Sequence, residues 1–141
     1  LLLIFLLIFM IQNITHKKKT IALIIKADYL KKRGVNFFTK SKFLQQVAYM
    51  NHPKGHEIQP HLHKKNIRKI SGTPEVLIIL SGKIKINFFN NKKIYLFSKI
   101  ANKNDIVVLL SGGHGFKMLK GCKFIEVKQG PYYPERDKNK F

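Results

Sequence analysis

Apolar and polar positions alternate in short runs along most of the chain, and Gly, Asn or Pro interrupts them at short intervals. Thr20 to Ala27 is rich in β-branched residues and predicts a first strand. Asp28 to Gly34 reads as a polar turn, and Val35 to Thr39 as a short extended piece. Leu44 to Asn51 fits a strand, although Ser41 could instead cap a short helix there. Pro53-Lys54-Gly55 then turns the chain, and Glu57 to His63 is expected to return as a strand. Lys64 to Pro74 is basic and contains Gly72, so it reads as a loop.

The second half is more regular. Glu75 to Leu80 is an unbroken apolar run, expected where both faces of a strand are covered. Ser81-Gly82-Lys83 predicts a turn, and Ile84, Ile86 and Phe88 alternate with polar residues as in a half-buried strand. Lys93 to Ile100, Asp105 to Leu110 and Cys122 to Lys128 are further strands. Gly130-Pro131 ends the last one. Strands spaced by roughly 8–12 residues, with no convincing long helix, indicate an all-β antiparallel sandwich or barrel.

The main domain is expected over residues 20–132, with a polar tail at 133–141. Residues 1–19, apolar and then basic, are expected to lie outside it. The apolar run Leu1 to Ile11 is short of the roughly 20 residues that cross a bilayer, and its lysines follow rather than precede it. The residues before Met10 read as an upstream translation artefact or fragment. The single cysteine, Cys122, allows no intrachain disulfide, which fits a reducing cytoplasm.

Charge changes the picture less than its size suggests. The net charge is +20, from 27 Lys+Arg against 7 Asp+Glu. The lysines are spread through turns and strand edges, in a chain also rich in Asn, Ile and Phe. This reads as compositional bias rather than as a stripe for nucleic acid. No specific nucleic-acid partner and no membrane partner are expected. No Walker loop, GxGxxG, nucleophile elbow or CxxC pair is present.

The candidate chemistry lies in two stretches. The first is Gly55-x5-His61-x-His63-x11-Glu75-x6-Gly82. On a strand, His61 and His63 would share a face, so both rings could reach one metal ion. Glu75 opens an apolar strand, where a carboxylate needs a metal, a lysine or water at the strand mouth. The second stretch brings His114 among Gly112, Gly113 and Gly115, where it is either a fourth ligand or a loop histidine. His56 has the opposite parity to His61 and His63, while Glu57 shares theirs. Glu126 and Lys128 share a face with Phe124 and read as a surface pair, or as groups that orient substrate or exchange protons with it.

These stretches resemble the two signature motifs of the cupin superfamily. In the first, Gly55, His61, His63, Glu75 and Gly82 take the fixed positions, with eleven residues between His63 and Glu75 where cupins have three or four. In the second, Asn104-Asp105 stands for Gly-Asp, Leu110 for Pro and Gly112 for Gly, and His114 comes one residue early. The end, Ile125 to Tyr132, is similar to small cupin metalloproteins beside bacterial surface-polysaccharide genes, the WbuC-like group among them.

The resemblance implies a double-stranded β-helix, or jelly roll, with a divalent metal ion (Mn, Fe, Ni or Zn) held by His61, His63, Glu75 and His114. It also implies a small-molecule ligand from sugar or nucleotide-sugar metabolism and a homodimer. A metal-dependent isomerase, epimerase or dioxygenase, a non-catalytic binding module and a vestigial jelly roll all remain open.

Overall fold

The computed structural model describes residues 10–141. The chain is built from antiparallel β-strands: β1 (Ile11–His16), β2 (Lys19–Ile25), β3 (Gly34–Phe37), β4 (Ala48–Asn51), β5 (Glu75–Phe89), β6 (Tyr95–Asn102), β7 (Ile106–Leu109) and β8 (Gly113–Lys128). A 3-10 turn spans Ala27–Lys31, and a single helical turn, α1, spans Pro134–Asp137. Six strands form one sheet in the order β1-β2-β7-β5-β6, with β8 on the far side of β5. β3 and β4 form a separate hairpin.

β5 is the axis of the sheet. Its first part, Glu75–Ile78, lies between β7 and β8, and its second part, Lys83–Phe89, between β6 and β8. The expected turn at Ser81-Gly82-Lys83 is therefore a bend inside one long strand. The register to β8 slips three times between Ile79 and Ile84. These slips exchange the inward parity. Leu77 and Ile79 are buried before the bend, and Ile84, Ile86 and Phe88 after it, all in one core cluster. Without the extra residue the second half would turn its apolar side outward.

The bend needs Gly82, whose φ is 86°. A Cβ there would lie 2.1 Å from the Gly121 carbonyl oxygen and 2.7 Å from Cys122 Cα. Two strands press backbone to backbone at this point, which only glycine allows.

The core has two parts. One lines the inner face of the bent sheet, where Phe116 and Phe124 from opposite ends of β8 come within 6.2 Å, ring centre to ring centre. The other lies behind it. There Leu23, Ile25, Val76 and Val108 are covered by Tyr29, Phe38 and the β3–β4 hairpin. β2 and the start of β5 are thus buried on both faces, as their unbroken apolar runs predict.

Several expectations shift. Ile11–His16, set outside the fold by the sequence, pairs with β2, and its Ile14 is buried. Ile11 to His16 becomes a strand because β2 offers it an edge. The reading of the residues before Met10 as an artefact lies outside the described residues. Glu57 to His63 forms no strand. Residues 52–74 are irregular, and Leu62 and Ile67 are each 95% exposed. Pro53 and Pro60 remove ladder donors there, and the segment carries too few inward apolar residues to repay ordering. The tail is not wholly loose, since Phe141 packs edge-on against Phe89 at 5.1 Å. Among the described residues the strand pairings leave the sheet open rather than closing it into a barrel.

Gly82→Ala is expected to lower the unfolding free energy by about 2 kcal/mol or more. Gly121→Ala, whose Cβ would meet open space, should change it by less than about 1 kcal/mol. Urea denaturation of both variants checks this. Equally small effects would mean that the strand does not bend at Gly82.

Candidate functional site

The bend brings together residues remote along the ribbon. Lys128 lies opposite Glu75 in the β5–β8 ladder, while His114 lies opposite Phe88, thirteen residues further along β5. In a flat sheet that separation would be about 43 Å at ~3.3 Å per residue. Instead, His114 Nε2 is 3.1 Å from Glu75 Oε2, and Lys128 Nζ is 4.0 Å from Glu75 Oε1. An imidazole and an ammonium from opposite ends of β8 thus converge on one carboxylate at the mouth of the folded sheet.

The parity of the strands puts these groups inside. Glu75 shares a face with Leu77 and Ile79, and its side chain is 6% exposed. His114 and Phe116 point the same way, and so do Phe124, Glu126 and Lys128 across the ladder. Glu126 Oε1 lies 3.1 Å from Lys128 Nζ, and the Tyr132 ring sits 4.9 Å from the same ammonium. The Phe116 ring lies beside the His114 imidazole at 5.2 Å.

The charges reinforce one another. The contact with His114 is the largest influence on Glu75 and holds its carboxyl below the ordinary 4.5. Burial opposes this, and the charges of His114, Lys128 and Lys138 act in the same direction as the His114 contact. The His114 contact is bent, however. No N–H is well aligned on Glu75 Oε2, and that buried oxygen lacks a formed hydrogen bond. The attraction is therefore mainly electrostatic. The lowered direction stands because Lys128 and Lys138 also favour the ionised acid. Lys128 is raised, first by its bond to Glu126, so it remains an ammonium at neutral pH.

A second carboxylate provides contrast. Asp105 is 1% exposed. It accepts hydrogen bonds from the Ala27 N–H at 3.1 Å and the Asn102 N–H at 2.9 Å, and Lys26 closes on Oδ2. Asp105 is a satisfied structural group that ties the β6–β7 turn to the end of β2. Glu75 is not satisfied in this way.

Of the four expected metal ligands, the structure joins Glu75 and His114. His61 and His63 sit on the exposed 52–74 segment, 5.2 Å apart ring to ring, with His61 Nδ1 2.9 Å from the Gln59 carbonyl. Among the described residues no group of three His, Cys, Asp or Glu is arranged to hold a metal ion. Glu126 and Lys128 do face the site with Phe124. His56, expected to face away, stacks on His52 at 4.0 Å with the planes 6° apart. Parallel rings at that distance do not converge on one ion. The place of Lys128 against Glu75 was not read from the sequence. The matching inward parity of Glu126 and Lys128 was its only signal.

No protein-family model, curated protein or solved structure gives a significant match to the chain. No helix among the described residues is long and apolar enough to cross a membrane.

Glu75 has a depressed folded pKa, so its contribution to stability is complete above the ordinary 4.5. That contribution is lost as pH falls through the lower folded value. The stability gap between the native chain and Glu75→Gln should therefore shrink between neutral pH and strong acid, measured by urea unfolding. A gap unchanged down to acid pH would contradict an ion pair at this position.

Proposed function

We propose that the chain is a metal-binding domain of cupin type that acts on a small oxygenated molecule, a sugar or nucleotide sugar. The observation that carries this is the Glu75–His114 convergence, with a buried Glu75 oxygen left without an aligned donor. An orphaned buried carboxylate oxygen beside an imidazole nitrogen is the chemistry of a divalent-cation site. His61 and His63 would complete the set from the segment that leads directly into Glu75. The left-handed backbone at Asn104, Gly55, Gly82 and Gly112 supports the jelly-roll reading, because all four stand at glycine positions of the cupin motifs.

A bound ion would supply Lewis acidity to a substrate oxygen. The residues of the chain do the rest. Phe116 and Phe124 form an apolar floor that excludes water from the inner face. The Lys128 ammonium orients an anionic or electron-rich oxygen, and Glu126 holds that ammonium in place. Lys128 serves as a positioning cation or proton donor, not as a base, because it stays protonated.

The alternative is a non-catalytic binding module. The mutual pairing of Glu126 and Lys128 favours it, since neither is left free to exchange protons.

Metal content of the purified protein tests the proposal. His61→Ala and Glu75→Gln should lose at least about tenfold in metal affinity, as removal of a ligand does. His52→Ala should retain its metal. Equal loss in His52→Ala and His61→Ala would place the ion elsewhere. Turnover of an oxygenated substrate, abolished in Glu75→Gln while the fold persists, would choose the enzyme over the binding module.

A further inference from the structure

The lysines scattered along the sequence converge in space. Two adjoining cavities, of about 460 and about 470 Å³, open beside the hairpin between β1 and β2 and share Lys19 and Ser111. Lys17, Lys19 and Lys92 line the first, and Lys18, Lys19, Lys40 and Lys42 the second. Among the described residues no carboxylate side chain lines either one. Among the described residues none of these six lysines enters an ion pair. They come from three separate segments of the chain, so local charge runs alone do not place them together.

The backbone adds an independent observation. His16 pairs with Lys19, so Lys17 and Lys18 form a two-residue hairpin turn. Their φ values are 47° and 62°. Such a turn favours Asn-Gly, and lysine at both left-handed positions is strained. The turn places two like charges at the rim of the cavities, and among the described residues neither has an ion-pair partner. The first cavity also has an apolar wall, Phe89, Ile94 and Leu96. Its volume suits a ligand of nucleotide size.

We propose that this double cavity binds a small molecule bearing two or more linked phosphate groups, bridged by Lys19, with an apolar or planar body against Phe89 and Leu96. The site is distinct from the Glu75–His114 pair and requires no metal. It stands whether or not the metal reading does.

The test is calorimetric titration of the full chain, in chelator and at about 0.15 M salt, where weak surface attraction is screened. The probes are adenosine diphosphate, inorganic pyrophosphate and a short single-stranded oligonucleotide. Combined Lys17→Gln, Lys19→Gln and Lys92→Gln should weaken diphosphate binding at least about tenfold. Combined Lys117→Gln, Lys120→Gln and Lys123→Gln, the same loss of charge on β8, should leave it within about twofold. Lys18→Gly should raise the melting temperature while weakening binding, a signature of strain kept for a ligand.

Tighter binding of the nucleotide than of pyrophosphate supports the apolar wall. Equal binding of both supports the phosphate site with a free inorganic ligand as its source. Equal losses in the two triple variants, or no binding of either phosphate probe, would overturn the proposal. Tighter binding of the oligonucleotide than of the nucleotide would also overturn it, in favour of a nucleic-acid surface.

Discussion

The fold depends on one close backbone contact. At Gly82 the long β5–β8 ribbon doubles back, with the Gly121 carbonyl occupying the space a side chain would need. This folds the inner apolar face upon itself, so that residues on both sides of the bend enter one core. It also brings the two ends of β8 to the same carboxylate. The site is thus a consequence of curvature rather than of local sequence. A flat sheet would hold the same residues tens of ångströms apart.

Acidic residues are scarce in this chain, 7 against 27 basic ones, and two of them are buried. Asp105 and Glu75 illustrate different uses of a buried charge. Asp105 has two backbone donors and a lysine, so its desolvation cost is offset and it locks a turn. Glu75 has an imidazole and an ammonium nearby but an oxygen with no aligned donor. A buried carboxylate is usually fully hydrogen-bonded, and Glu75 departs from that pattern where Asp105 follows it. The same contrast applies to the lysines. Lys26 and Lys128 are used within the fold, while those around the β1–β2 hairpin are left with charge to share.

Much of the strand pattern is legible in the sequence, because burial on one or both faces imposes its period directly. Glu75 to Leu80, Ile84 to Phe88 and Asp105 to Leu110 all read as strands. The bend is not legible as a bend, since Ser81-Gly82-Lys83 has the composition of a turn and only the partner strand decides between them. The lower half of β8 was missed for the same reason. Gly113 to Gly121 carries no clear strand pattern of its own and finds its β form by pairing along β5. Two of the candidate ligands, Glu75 and His114, come together from positions named by spacing alone. His61 and His63 do not join them, because the segment that carries them has no strand to fix its side-chain direction. The lysine cavities depend on which turns meet in space, and no window of sequence contains that information.

The most direct test of the account is a double-mutant cycle in unfolding free energy at neutral pH, using Glu75→Gln, His114→Ala and the combined variant. The folded-back ribbon predicts coupling between the two positions of at least about 0.5 kcal/mol, as for side chains in contact. Strict additivity would contradict it, because residues at opposite ends of an unbent ribbon would be too far apart to interact.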